Sequence, residues 1–185
     1  MDAQALKQAK WLGGLGIVFI ILSAIPYIGT ILGLAGLVMF IVANKKLADL
    51  TGNPLILSST IKSVIAAVVG GTIGFVVAFI GIANHDSAVA LIGSLIIYLS
   101  LVVTGFFVKQ VFDALFLEFR NDLFRWAGLL IFWGYILAIL AGLGLIAALI
   151  GWILAAVAYF TLPEVPQHVE QQGGNTTNTE QNTGG

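Results

Sequence analysis

"SAIPYIGTILG", residues Ser23 to Gly33, lies in the middle of an apolar run that extends from Trp11 to Asn44 without a charged residue. As one helix that run would be about 50 Å long at 1.5 Å per residue, against a hydrocarbon core of roughly 30 Å. It is too long for one span and just long enough for two. Pro26 cannot donate to a helical ladder and Gly29 relaxes the backbone, so the stretch predicts the tip of a tight hairpin between two helices. Backbone groups freed at a turn in lipid must be satisfied by protein or reach water. An apolar turn of this kind should be compact. Its glycine should take a positive φ or make a contact too close for a Cβ.

Two further windows behave the same way. Ser63–Val108 is interrupted only by Asn84-His85-Asp86, and Trp126–Pro163 carries no charge. Each should hold two helices, with breaks at Asn84–Ser87 and Ala141–Gly144. The expected architecture is all-α: a polytopic membrane bundle of six transmembrane helices, at about 11–27, 29–44, 63–83, 87–108, 126–141 and 144–161. Residues 1–163 form the bundle. The polar tail at 164–185, rich in Gln, Asn, Thr and Gly, should be disordered. Composition agrees with this class. The chain of 185 residues is 59% hydrophobic and 9% charged, with a mean hydropathy of +1.03, whereas soluble domains carry roughly 25% charge. A net charge of -1 argues against nucleic acid as a partner. The absence of cysteine removes disulfides, thiolate metal sites and thiol nucleophiles. The first apolar segment is read as a retained span and not as a signal peptide.

The first and third windows align at an offset of 115. Trp11 meets Trp126, and Gly13, Gly29 and Gly36 meet Gly128, Gly144 and Gly151. Eleven of the 33 positions from Trp11 to Ala43 are identical. This reads as an internal, parallel repeat of one hairpin, with Gly29 and Gly144 at equivalent turn positions. Gly16 aligns with Ile131 and should therefore tolerate a β-branched side chain.

All eight cations, Lys7, Lys10, Lys45, Lys46, Lys62, Lys109, Arg120 and Arg125, fall on one side of the spans. The positive-inside rule makes that side cytoplasmic, placing the chain in the plasma membrane with both termini inside. The cytoplasmic segment Lys109–Asp122 carries a stripe of Phe112, Phe116 and Phe119 and should continue span 4 before lying along the interface. Asp122 should cap the next helix. Leu47–Ser59 should be two short interfacial pieces joined by the turn Gly52-Asn53-Pro54.

Candidate sites are few. His85 and Asp86 supply too few ligands for a metal and read as a polar turn. The spans hold no ionisable residue, the default mark of an intramembrane function. Ser94, Tyr98 and Ser100 are the candidates for a polar pathway, against the simpler reading of hydrogen bonds within or between helices. Small-residue faces at Gly70, Gly74 and Ala78, at Gly29 and Gly33, and at Gly151 let helices approach closely. They serve either a homo-oligomer or packing inside the monomer, the latter being preferred. The sequon at Asn175 conflicts with a cytoplasmic tail and is read as chance. No Ser-His-Asp, HExxH or phosphate-loop pattern appears, so no catalytic residue, cofactor or metal is assigned.

"LKQAKWLGGLG", "IPYIGTILGLAGLVMFIVANKKLAD", "LFRWAGLLIF" and "GWILAAVAYFTLPE" resemble the prokaryotic, largely archaeal, integral membrane family known as domain of unknown function 996. The resemblance covers about residues 6–164 and implies no activity, cofactor or catalytic residue. The expected function is that of a non-enzymatic scaffold or accessory subunit, with lipid and other membrane proteins or its own copies as partners. The alternative is a channel or facilitator for a small neutral solute, and a membrane enzyme comes third.

Overall fold

The computed structural model describes residues 3–162 apart from 26 and 141. The turn residues Pro26 and Ala141, and the tail expected to be disordered, lie outside the described residues. Within them the chain forms six helices: α1 Ala3–Leu22, α2 Gly29–Thr51, α3 Pro54–Ala83, α4 Ser87–Phe119, α5 Asp122–Leu137 and α6 Leu143–Phe160. All but α5 are long and apolar enough to cross a membrane. With 16 residues, α5 is about 24 Å long.

The polar turns are set by local chemistry. Gly52 closes α2 in the left-handed conformation, with φ 71° and its N–H donating to the Ala48 carbonyl. Asn53 then caps α3 by accepting from the Leu55 N–H, and Pro54 takes the first helical position, where no donor is needed. Asp86 caps α4 by accepting from the N–H groups of Ala88 and Val89. Asn121, and not Asp122, caps α5 by accepting from the Leu123 N–H. The carboxylate of Asp122 lies instead in the first turn, where the helix dipole favours it.

Each helix packs on the next, and α6 returns to α1, so the six make a closed ring. Trp11 of α1 meets Phe160 of α6 edge-on at 5.5 Å, and Lys10 Nζ donates to the Leu162 carbonyl at 3.3 Å. The large buried side chains gather toward one end of the ring. Leu6, Leu47, Ile56, Val111, Phe112, Leu115, Phe119, Phe124 and Leu162 are buried, all from the cation-bearing end. The turn-bearing halves expose Leu34, Val69, Phe79, Leu91, Leu99 and Leu145. Two expectations are corrected here. Residues 109–119 continue the preceding helix, as expected, but do not turn aside from it. They are the last turns of an unbroken α4, which turns Val111, Phe112, Leu115 and Phe119 into the core. The stretch 47–59 is likewise the end of α2 and the start of α3, with Leu47 and Ile56 fully buried.

The two outer hairpins, α1–α2 and α5–α6, cross at small residues. A Cβ on Gly16 would sit 2.9 Å from both the Gly36 oxygen and the Phe40 nitrogen, and one on Gly151 would sit 2.9 Å from the Ile131 nitrogen. Gly16 is therefore not a tolerant position, because α2 crosses directly on it. The turns differ from expectation in a similar way. Positive φ falls at Tyr27 (70°) and Gly142 (77°), two residues before Gly29 and Gly144. Those two glycines meet the other condition: a Cβ on Gly29 would clash with the Ser23 carbonyl, and one on Gly144 with the Gly134 carbonyl and the Ala138 nitrogen.

Candidate functional site

The residues singled out for close packing are all used inside the monomer. The face of Gly70, Gly74 and Ala78 on α3 meets α4: a Cβ on Gly70 would lie 2.6 Å from Ser100 Oγ, one on Gly74 2.8 Å from the Ile97 nitrogen, and one on Gly93 2.7 Å from the Ala78 Cβ. Gly29 and Gly33 face Ser23 at the end of α1, and Gly151 faces Ile131 of α5.

The polar side chains of α4 point three ways and do not come together. Ser94 is exposed and bonds back to the Ala90 carbonyl at 2.9 Å. The Tyr98 hydroxyl donates to the Ile136 carbonyl of α5 at 2.8 Å. Ser100 Oγ donates to the Ala66 carbonyl of α3 at 2.6 Å. That carbonyl opens a π-helical turn, Ala66–Gly70, set within α3. A π turn widens the backbone spiral and is frequent at functional sites, and here the Ser100 hydroxyl supplies a partner at its first residue.

Beside the π turn lies a cavity of about 430 Å³. All six helices contribute to its lining. Leu34 and Leu37 of α2 face Val64 and Ala67 of α3, Leu101 and Thr104 come from α4, and Ile20, Tyr135 and Trp152 complete it. Leu34 is 62% exposed and Ala67 is exposed as well, so the cavity is a cleft open on the α2/α3 side. Its inner end is stopped by aromatic rings. Phe40 meets Phe112 at 6.5 Å, Trp152 at 6.2 Å and Tyr159 at 6.3 Å. Phe124 joins Phe112 at 5.9 Å and Tyr159 at 5.2 Å. These edge-on and tilted contacts, drawn from α2, α4, α5 and α6, fill the ring between the cleft and the packed end.

Two buried polar atoms among the described residues have no hydrogen-bond partner, Asn44 Nδ2 and Thr104 Oγ1. Asn44 belongs to the packed end, where its Oδ1 accepts from the Tyr159 hydroxyl at 2.5 Å. Thr104 lines the cleft. There Trp152 Nε1 also donates to the Tyr135 hydroxyl at 3.1 Å, leaving the tyrosine proton free to be donated. No charged side chain is among the lining residues. Sequence reasoning missed Thr104 and Tyr135 as a pair. They lie on different helices, 31 residues apart in the chain, and no spacing rule links them.

At the cation-bearing end a polar collar ties the helices together. Lys46 Nζ donates to Gln8 Oε1 at 3.0 Å, Asn53 Nδ2 to Glu118 Oε1 at 2.9 Å, and Ser59 Oγ to Gln110 Oε1 at 3.1 Å. Asn121 Nδ2 reaches Thr161 Oγ1 at 3.2 Å, and Lys109 pairs with Asp113 one turn on. His85 stands in the opposite turn, with φ 55°, beside the capping Asp86.

Comparison with known proteins agrees with the resemblance read from the sequence. The pattern of the family described as protein of unknown function (DUF996) matches residues 32–153. An uncharacterised protein of Methanocaldococcus jannaschii, MJ1644, is 31% identical over 175 residues, covering 89% of this chain and 97% of its own length. No solved structure matches. With a family match over residues 32–153 and a relative 31% identical across most of both chains, the chain belongs to the DUF996 family.

Proposed function

We propose that the chain is a multi-pass integral membrane protein of the cell membrane, with both termini cytoplasmic, that works by association as a scaffold or accessory subunit. The observation that carries this reading is the aromatic stop formed by Phe40, Phe112, Phe124, Trp152 and Tyr159. A transport path along the ring axis would have to pass through it, and the hydroxyls of Ser94, Tyr98 and Ser100 are spent on backbone carbonyls. The five apolar helices support membrane insertion, and the cationic collar at one end supports the orientation.

The same reading takes 11–43 and 126–158 as two copies of one hairpin. Two structural features recur at the 115-residue offset: the helix crossing at Gly16 and Gly36 against Ile131 and Gly151, and the left-handed residue at Tyr27 and Gly142. One hydrogen bond, from Tyr159 to Asn44, joins the equivalent positions that immediately follow the two copies, which is the contact expected of parallel units related by a two-fold axis along the bundle.

The test is reconstitution of the full chain in liposomes. Osmotic swelling in glycerol and in urea should match protein-free vesicles, and a photoreactive group at the exposed Phe79 (62%) should give one discrete crosslinked adduct in native membranes. Permeability above background would replace the scaffold by the facilitator. A missing adduct would remove the support for association.

A further inference from the structure

We propose that the cleft between α2 and α3 is a binding site for a neutral amphiphile: an apolar chain carrying an ester, ether or ketone oxygen that accepts a hydrogen bond from Thr104. This rests on the membrane placement of the helices but not on the scaffold role. The first support is the behaviour of Thr104 beside the threonines that are likewise screened or bonded, Thr51, Thr60 and Thr161; Thr30 and Thr72 are exposed. In a helix, the threonine hydroxyl ordinarily donates to the carbonyl one turn back. Thr51 does so to Leu47 at 2.8 Å, Thr60 to Ile56 at 2.7 Å and Thr161 to Val157 at 2.9 Å. Thr104 does not, although it is only 9% exposed and Oγ1 has no partner at all. A buried hydroxyl without a partner is unfavourable wherever water is absent. A ligand oxygen in the cleft removes that penalty.

The second support is the character of the space. About 430 Å³ falls within the range of small-molecule sites, roughly 300–1,000 Å³. Leu34, Leu37, Val64 and Leu101 provide apolar wall, and the polar groups are hydroxyls and an indole N–H. Nothing there compensates a charge, so an ionised ligand would have to shed its hydration without return. Two hydroxyls, Thr104 and Tyr135, have a proton to donate, and an acceptor on the ligand satisfies either of them. Third, the wall is shaped for access. Ala67, a small residue of the π turn, lines the cleft together with Leu34, and both are exposed. At the depth of the apolar helices, that side of the cleft meets lipid.

Trp152 reports occupancy directly because it lines the cleft. The other three tryptophans, Trp11, Trp126 and Trp133, are all more than half exposed and are replaced by Phe. In dodecylmaltoside, methyl 9,10-dibromostearate should quench the remaining fluorescence saturably. Thr104→Val should weaken that binding about five- to tenfold, the effect of one hydrogen bond. It should leave quenching by 9,10-dibromooctadecane, which has no oxygen, unchanged. Ala67→Phe should abolish saturable quenching by both, and Leu37→Phe on the facing wall provides the same test should Ala67→Phe fail to fold. Linear, unsaturable quenching, equal in the filled variants, would overturn the site. Equal affinity of ester and hydrocarbon with no effect of Thr104→Val would overturn its chemistry. Vesicle swelling and this titration fail independently, so neither result stands in for the other.

Discussion

Removing the Tyr159 hydroxyl tests how the two outer hairpins are joined. Tyr159 and Asn44 are both fully buried, and the phenol donates to Asn44 Oδ1 at 2.5 Å. Asn44 Nδ2 already lacks a partner, so Tyr159→Phe leaves the whole carboxamide unsatisfied. The ring remains held between Phe40 and Phe124, so packing is conserved and the loss is polar. Stranding a buried polar group costs about 1–3 kcal/mol. Hydrogen bonds between membrane helices average nearer 0.6 kcal/mol, because the unfolded chain in lipid finds other partners. Full burial and the absence of any second partner for Asn44 place this pair in the upper range. Asn44→Leu alone strands the phenol and should cost a similar amount. Combining Asn44→Leu with Tyr159→Phe removes both polar groups at nearly constant volume. It should return stability to within about 1 kcal/mol of the parent. The measurement is unfolding in dodecylmaltoside titrated with dodecyl sulfate, run as a double-mutant cycle. Strict additivity, with the double variant the least stable of all, would show that the two groups do not act as a pair.

Other expected outcomes are equally direct. Tyr27→Gly should stabilise the chain by up to about 1 kcal/mol, since the left-handed conformation disfavours a Cβ, while Gly142→Val should destabilise it. Thermal unfolding of the two variants with opposite signs is the check. Gly93→Val drives a side chain into the α3 backbone at Ala78 and should lower stability by about 1–3 kcal/mol without changing oligomer mass in light scattering. A change of mass at unchanged stability would move that face to a subunit interface. A cysteine at His85 should react with an impermeant maleimide from outside intact cells, and one at Lys46 or Arg120 should not. Inverted labelling would overturn the orientation.

How far the sequence reveals the fold depends on what each residue type can signal alone. Charge-free windows of known length set the number of helices, and Gly52-Asn53-Pro54 marks its turn because a left-handed closure, a side-chain cap and an N1 proline each demand that residue. Residues 109–119 mislead because Lys109, Gln110, Asp113 and Glu118 look like a surface. They occupy one side of α4 and spend their polarity on the collar, while Val111, Phe112, Leu115 and Phe119 fill the ring from the other. Tyr27 gives no hint of a positive φ. The turn imposes it, and full exposure (101%) leaves the side chain nothing to clash with. Thr104 is the clearest limit. As a residue it looks no different from Thr60, which bonds back to the Ile56 carbonyl of its own helix, and only the folded structure shows that the Thr104 hydroxyl makes neither that bond nor one to a facing helix.

This division between a packed end and an open end carries a consequence for how the parts are separable. Nearly all large buried side chains, Phe40, Leu47, Phe112, Leu115, Phe119, Phe124 and Tyr159 among them, belong to the cation-bearing half, and the collar of side-chain bonds lies there too. Substitutions in that half should govern whether the ring forms. The open side of the cleft has no such duty. There the walls are the exposed Leu34 and Ala67, the latter on the π turn, and the best-placed hydroxyl of the cleft bonds to nothing. Groups with no structural task can change without unfolding the chain, so Thr104 and Ala67 variants should retain native unfolding transitions while altering occupancy. The same logic explains why a bundle with a tightly filled floor can keep an unfilled cavity above it. The floor holds the helices at fixed separation, and beside the cleft the Ser100 hydroxyl ties the π turn of α3 to α4 and not to α2.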